Sequence, residues 1–314
     1  MADEDLVLDK SPQGAHGRTE TAGHVPVLLQ QAIDFLAVRR GGTFIDATLG
    51  LGGHSLEIAR RLGPQGHLIG FDKDPQALEA ARKRLAGLAE AQGGWPVITL
   101  LQGSYAELGE RIPAAGTDGL LADLGMSSLQ LGDAARGFSF QAEGPLDMRM
   151  APYEERTADQ VVNHMREEEL ANVIYEFGEE RRSRRIARAI VRARPIRNTA
   201  HLAQVISAAL RSMNWERIHP ATRTFQAIRM FVNRELDDLK ALLAAAPKVL
   251  RPAGRLVIIS FHSLEDRLVK DAMREGAQSK IYRLLTKKPV TADEEEIDRN
   301  PRSRSAKLRA VERM

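Results

Sequence analysis

No stretch constrains this chain more than Thr43-Phe44-Ile45-Asp46-Ala47-Thr48-Leu49-Gly50-Leu51-Gly52-Gly53-His54 and the Ser55-Leu56-Glu57-Ile58-Ala59 that follows. A short apolar run with a β-branched residue ends on a polar one, passes three closely spaced glycines and opens into a helical pattern. An α/β sheet holds a nucleotide-shaped cofactor in this way. Glycines let the backbone approach the ligand, and the following helix offers free N–H groups. His67-Leu68-Ile69-Gly70-Phe71 reads as a second strand. Asp72 sits at its carboxyl end, about 20 residues past the glycines, where an acid can grip a ribose diol.

Glycine clusters also make plain tight turns, so the loop alone does not name a cofactor. A nicotinamide-dinucleotide fingerprint has a third glycine inside the helix. Here the order Gly50-Leu51-Gly52-Gly53-His54-Ser55 lacks it. Asp46, at the end of the first strand, suits a site that receives an amino-acid moiety better than a pyrophosphate cradle. Both features tilt the reading toward a methyl-donor nucleoside. An NAD-linked oxidoreductase is the competing class, and a non-catalytic RNA-binding protein is a third.

At 314 residues the chain suffices for one large domain or two ordinary ones. With 5% aromatics and no cysteine, its core must be aliphatic, and disulfides, thiolate metal sites and cysteine nucleophiles are excluded. No apolar run approaches the roughly 20 residues needed to span a bilayer. Residues 1–22 read as a disordered polar tail rather than a signal peptide, and a cytoplasmic location is expected. The net charge is only +3 but unevenly spread. Arg181 to Arg197 holds eight arginines and no acid, and after Asp298 the only acid is Glu312. Such local fields suit a polyanionic partner.

Strands and helices alternate through the first part of the chain. A lead-in helix falls within Ala22–Val38, a helix within Pro75–Leu88 with Asp74 and Pro75 marking its start, a third strand over Pro96–Leu101 and a fourth over Gly119–Asp123. This predicts a parallel, doubly wound sheet. From about Gln141 to Pro220 only amphipathic helical stretches follow: Ala158–Met165, Glu167–Phe177, Ser183–Ala193 and Thr199–Met213, the last N-capped by Asn198 or Thr199. Residues 23–140 and 221–314 are therefore expected to form one discontinuous domain, and 141–220 an inserted helical domain. A helix from Thr224 to Ala246 and a buried strand over Arg255–Phe261 return the chain to the sheet. Ile281–Leu285 and Ala306–Glu312 close it as a hairpin-like pair around a loop from Thr291 to Ser305.

Asp123 ends the fourth strand beside the expected switch in strand order, where ligands sit in open α/β sheets. A second carboxylate at a strand's carboxyl end would face the same crevice as Asp72. Gln130 can reach back toward the cofactor, and Tyr105, just after the third strand, can stack on an adenine. On the helical insert, Arg181, Arg185, Arg188 and Arg192 fall on one helix stripe opposite Ile186, Ala189, Ile190 and Ala193, a candidate phosphate-binding platform.

These segments resemble the bacterial small-subunit ribosomal RNA cytosine-N4 methyltransferases, the MraW family. The resemblance rests on His24-Val-Pro-Val-Leu-Leu29, Asp46 to Ser55, Phe71-Asp-Lys-Asp-Pro-Gln-Ala77, Asp123-Leu-Gly-Met-Ser-Ser128 and Arg136-Gly-Phe-Ser-Phe140. It continues through Gly144–Met150, His219–Arg229, Ser260–Arg267 and Asn300–Arg309, in order and over almost everything after His24. It implies a Rossmann-like methyltransferase sheet with an inserted all-helical substrate-recognition domain. It also implies S-adenosyl-L-methionine as cofactor, no metal, and as substrate the N4 amine of a cytidine in the decoding region of 16S ribosomal RNA. Carried over position by position, Gly52, Gly53 and His54 would line the methionine part of the cofactor and Asp72 would hold the ribose. Tyr105 would contact the adenosine end, with Asp123 and Gln130 completing the pocket. The chain departs from the family in having Leu49 and Leu51 where an aromatic or basic residue is usual, and Leu129 where proline is usual. Asp123, a nearby main-chain carbonyl or His262 could accept the amine's proton, and no general base is assigned; His262, at the end of the strand to Phe261, reads rather as a structural cap. Free RNA or an assembled subunit as substrate, and a single chain or a homodimer as the working form, are left open by the residues.

Overall fold

The computed structural model of the chain describes residues 26–92, 94–210 and 219–314. The tail expected over residues 1–22 and the last residues of the helix expected to reach Met213 lie outside them. In chain order the strands are β1 (Thr43–Asp46), β2 (His67–Asp72), β3 (Val97–Gln102), β4 (Thr117–Asp123), β5 (Leu250–Ser260), β6 (Tyr282–Leu284) and β7 (Lys307–Arg313). They form one sheet in the order β3-β2-β1-β4-β5-β7-β6. The first five run parallel, while β7 pairs antiparallel with both β5 and β6. The sheet is thus Rossmann-like but mixed, its parallel part closed by the antiparallel pair.

Around it lie α1 (Leu29–Leu36), α2 (Gly53–Leu62), α3 (Pro75–Gln92), α4 (Leu108–Arg111) and α5 (Ser128–Gly132). Next come α6 (Glu167–Gly178), α7 (Ser183–Ala193) and α8 (Thr199–Leu210), then α9 (Thr222–Val232) and α10 (Glu235–Val249) lead back to β5. After it come α11 (Ser263–Gln278) and α12 (Glu294–Arg299). Strand alternation sends side chains to opposite faces. On one face Ile45, Leu120, Ala122, Leu256 and Ile258 pack with Leu239 and Leu242 of α10 and Val269 of α11. On the other Phe44, Leu121, Val257 and Ile259 pack with Ile33 of α1, Ile58 of α2 and Leu308 of β7. Apolar side chains of α6 to α9 gather in a separate core with Phe138, Leu146 and Met148.

Three expectations change. The helix expected over Thr224–Ala246 is two helices, broken where Arg234 takes a left-handed φ of 54°. Phe225, Ile228 and Val232 of α9 belong to the helical core, whereas Leu239, Leu242 and Ala246 of α10 belong to the sheet core, so one straight helix would not serve both. Asn233, fully buried, holds the break: its Nδ2 donates to the carbonyls of Met148 and Arg229, both at 2.8 Å, and its Oδ1 accepts from Met150 N at 2.7 Å. The helix expected over Ala158–Met165 winds as a short π-helical turn, Gln160–His164. The loop expected from Thr291 to Ser305 contains α12 and a 3₁₀ turn, Pro301–Ser305.

Candidate active site

The chain runs outward from β1 through β2 to β3, then returns to the other side of β1 as β4. The carboxyl ends of β1 and β4 therefore flank a switch point, where a crevice forms in open α/β sheets. A cleft of about 730 Å³ opens there, lined by the β1–α2 loop, Asp72, Tyr105, Asp123, the α5 region and side chains of α9, α10 and α11.

The glycine loop is held from several sides. Buried Asp46 accepts from Ser55 Oγ at 2.7 Å and from Thr48 N at 3.2 Å, so it orders the turn, and it does not line the cleft. Gly50, at φ 50°, donates its N–H to Asp72 Oδ2 at 2.8 Å. Gly52, at φ 72°, faces α3, where a Cβ would stand 3.4 Å from Ala81 Cβ. A Cβ on Gly53 would collide with Pro26 Cγ at 2.4 Å, so this glycine admits the lead-in segment.

Of the residues singled out from sequence, Gly53, His54, Asp72, Tyr105, Asp123 and Gln130 line the cleft. Gly52 does not: its missing side chain makes room for α3. Asp72 is oriented by two main-chain donors, Gly50 N on Oδ2 and Asp74 N on Oδ1, both at 2.8 Å. Burial, with the neighbouring carboxylates of Asp74 and Asp46, lifts its pKa to about 6 against those two bonds. His54 Nε2 lies 3.0 Å from the Val27 carbonyl, and burial lowers its pKa to about 4. The ring is neutral at pH 7, and with Nε2 as donor its Nδ1 faces Asp123 Oδ2 at 3.7 Å as a lone pair. Asp123 Oδ1 is buried with no hydrogen-bond partner among the described residues, and burial plus the charges of Asp46 and Glu265 push its pKa well up. Gln130 is not free to swing. Its Oε1 accepts from Ser127 N at 3.0 Å in a capping box, and its Nε2 donates to Asp74 Oδ2 at 3.2 Å. Tyr105 opens a 3₁₀ turn beside β3, its hydroxyl held protonated by burial and by Asp238, Glu235 and Glu265.

The floor of the cleft carries an ionic network that no local sequence pattern displays. Lys73 Nζ sits 2.7 Å from Asp238 Oδ2 and donates to the Asn233 carbonyl at 2.9 Å. Arg229 donates to both oxygens of Glu235 at 2.8 Å. His262 caps α11, its Nδ1 accepting from Glu265 N at 3.3 Å, with Nε2 3.1 Å from Glu265 Oε1. The Glu235, His262 and Glu265 side chains come close enough together to hold a cation, but the Glu235 charge is already paired with the Arg229 guanidinium. Lys73 and Asp238 lie 165 positions apart, so only the fold brings them together. From the C-terminal stretch, Arg302 lines the cleft mouth and donates to Ser128 Oγ at 2.6 Å.

Arg181, just before α7, and Arg185, Arg188 and Arg192 on it are exposed and do not line the cleft, with Ile186 and Ile190 of α7 buried. Asn198 caps α8 through His201 N at 2.8 Å, while Thr199 Oγ1 is used to accept from Gly144 N and to donate to the Ala142 carbonyl, both at 3.0 Å.

The model of the MraW methylase family matches residues 21–314. A curated relative from Koribacter versatilis, a ribosomal RNA small subunit methyltransferase H, is 68% identical over 97% of this chain and 98% of its own length. Proteins of the same description from Acidobacterium capsulatum and Solibacter usitatus are 64% and 50% identical, over 94% and 92% of this chain and 99% of each relative. With this cleft at the switch point of a Rossmann-like sheet, and with these matches along nearly its whole length, the chain belongs to the MraW methylase family.

Proposed function

We propose that this protein methylates the N4 amine of a cytidine in the decoding region of small-subunit ribosomal RNA. The observation that carries the reading is the 68% identity over 97% of the chain to a relative described as a small-subunit ribosomal RNA methyltransferase. The cleft is consistent with it in detail. S-adenosylmethionine, when bound, supplies a sulfonium-activated methyl group, so alignment and exclusion of water are the tasks left to the protein.

The residues present suit that cofactor. Asp72, steered by two N–H groups, keeps lone pairs to accept from a ribose diol. Tyr105 would lie against the adenosine end, and Gly53 and His54 against the methionine part. A neutral His54 adds no charge to repel a sulfonium. Asp123 carries the chemistry at the acceptor. Its unpartnered Oδ1 would accept an N–H of the cytosine amine, strengthening as that nitrogen loses its lone pair to the new bond. The raised pKa makes the same carboxylate basic enough to take the proton that must leave, and a cation seated in the cleft favours its ionised form beforehand. His262 caps α11 through Nδ1, and its buried Nε2, 3.1 Å from Glu265 Oε1, makes no hydrogen bond among the described residues.

A cytosine inside a helix would not reach this cleft, so the target must be unstacked and turned in. The helical insertion, with the exposed arginines of α7, would grip the flanking RNA in the cytoplasm where ribosomal subunits are built. Among the described residues no helix is long and apolar enough to cross a membrane.

The test is mass mapping of small-subunit RNA, free and in subunits, after incubation with enzyme and methyl donor. A gain of one methyl mass on a single cytidine is expected. No gain on any cytidine in either form would defeat the reading in favour of a binder. A calorimetric titration that gave heat with NAD and none with S-adenosylmethionine would defeat it in favour of an oxidoreductase.

A further inference from the structure

Beside the main cleft lies a second cavity of about 280 Å³, lined by Ala200, Ala203, Gln204 and Ser207 of α8 together with Phe140 and His219. Phe140 lines both cavities and so forms the wall between them. Its ring stacks on His219, with centroids 4.5 Å apart and planes 29° apart, and takes Phe225 edge-on at 5.0 Å. His219 is exposed, and its Nδ1 accepts from Ala221 N at 3.2 Å, which leaves Nε2 as a donor with no hydrogen bond among the described residues. The Gln204 amide and the Ser207 hydroxyl make no side-chain hydrogen bond with the described residues. The space is thus walled on one side by two stacked aromatic rings and edged on another by an amide and a hydroxyl with no side-chain hydrogen bond among the described residues. Aromatic stacking with polar reading of an edge is how proteins take single-stranded bases.

We infer that this second cavity binds the base of a nucleotide neighbouring the methylated one, stacked against the Phe140–His219 pair and read by Gln204 and Ser207. The inference rests on the proposed RNA methylation and adds to it a place for a second base. A base turned out of a strand leaves its neighbour unstacked on one side. A ring wall shared with the target cleft would replace that lost stack at the right place. It would also make methylation depend on the identity of the flanking base.

Steady-state methylation of the RNA or subunit that the wild type accepts tests this with His219→Ala, Gln204→Ala and Ala200→Trp, the last filling the cavity. His219→Ala and Ala200→Trp are expected to raise the KM for RNA on the order of ten-fold, the scale of one lost base–aromatic stack. Gln204→Ala should raise it less, with affinity for S-adenosylmethionine and kcat at saturating RNA unchanged. Gln204 is an exposed helix position, so its variant keeps the test open if Ala200→Trp fails to fold. Unchanged KM for RNA in the folded variants would overturn the subsite, as would an equal loss of cofactor affinity. A wild type that methylates no cytidine would instead refute the function on which the subsite rests.

Discussion

Arg136 Nη1 donates to Asp74 Oδ2 at 2.8 Å, and the Asp74 side chain is wholly shielded from solvent. The same oxygen accepts from Gln130 Nε2, while Asp74 Oδ1 accepts from Gln76 N at 3.0 Å and so starts α3. Arg136 also donates through Nη2 to the carbonyls of Arg149 and Met150 at 2.9 and 3.0 Å. One ion pair therefore fastens the end of β2, the α5 region and the Arg149–Met150 stretch, which are three walls of one cleft. Removing one partner of a buried pair strands the other's charge, which costs about 3–5 kcal/mol. Arg136→Ala is expected to lower unfolding stability by about that much in urea denaturation. A loss near that of an exposed pair, below about 1 kcal/mol, would mean the fastening is not structural.

Cofactor binding should depend on pH through Asp72. Its pKa of about 6 means the carboxylate is ionised at pH 7 and protonated at pH 5. Only the ionised form has the full acceptor capacity a ribose diol uses. Affinity for S-adenosylmethionine should fall as pH drops through 6, by up to about ten-fold per unit. His54 does not confuse the reading, since it stays neutral down to about pH 4. Calorimetry between pH 5 and 8 measures this, with Asp72→Asn as the control that should bind more weakly and lose the fall centred near pH 6, any dependence left over belonging to Asp123, whose carboxyl burial also raises. An equally steep dependence in that variant would assign the titration elsewhere.

Much of this site was legible because it is local. Asp72 and Asp123 could be picked out since each ends a strand, and strand ends on one edge of a parallel sheet share a crevice. Gly52 was legible as a glycine but not for its reason, which is the approach of Ala81 from α3. The break at Asn233–Arg234 was hidden because apolar spacing runs on through it, and only two separate cores demand the bend. The Lys73–Asp238 and Arg229–Glu235 pairs were invisible for a related reason: charged side chains show no periodicity that tells a solvated face from a buried partner.

Binding of RNA should be separable from binding of the cofactor. Arg181, Arg185 and Arg192 are exposed on or beside α7 and none touches the cleft. Changing all three to Glu is expected to weaken RNA binding and flatten its salt dependence, each lost phosphate contact lowering the slope by about 1. Filter binding across a salt series, with cofactor calorimetry alongside, checks both halves. Loss of cofactor affinity would show that the stripe supports the fold instead.

Asp123→Asn keeps the shape of the side chain but cannot take a proton. Its single-turnover rate of methyl transfer is expected to fall about 10²- to 10⁴-fold, the range for removing a positioned acid or base. Affinity for RNA should stay close to that of the wild type, while affinity for the cationic cofactor falls with the lost carboxylate charge. An unchanged rate would shift proton acceptance to a main-chain carbonyl or to solvent.

The central claim is that this cleft delivers a methyl group to the exocyclic nitrogen of cytosine. Small-subunit RNA methylated by the purified protein, digested to nucleosides and resolved by chromatography with mass detection, tests that claim most directly. The expected product is a cytidine carrying its new methyl on N4, eluting with authentic N4-methylcytidine. A product carrying the methyl on the ring carbon, on the ribose or on another base would contradict the claim.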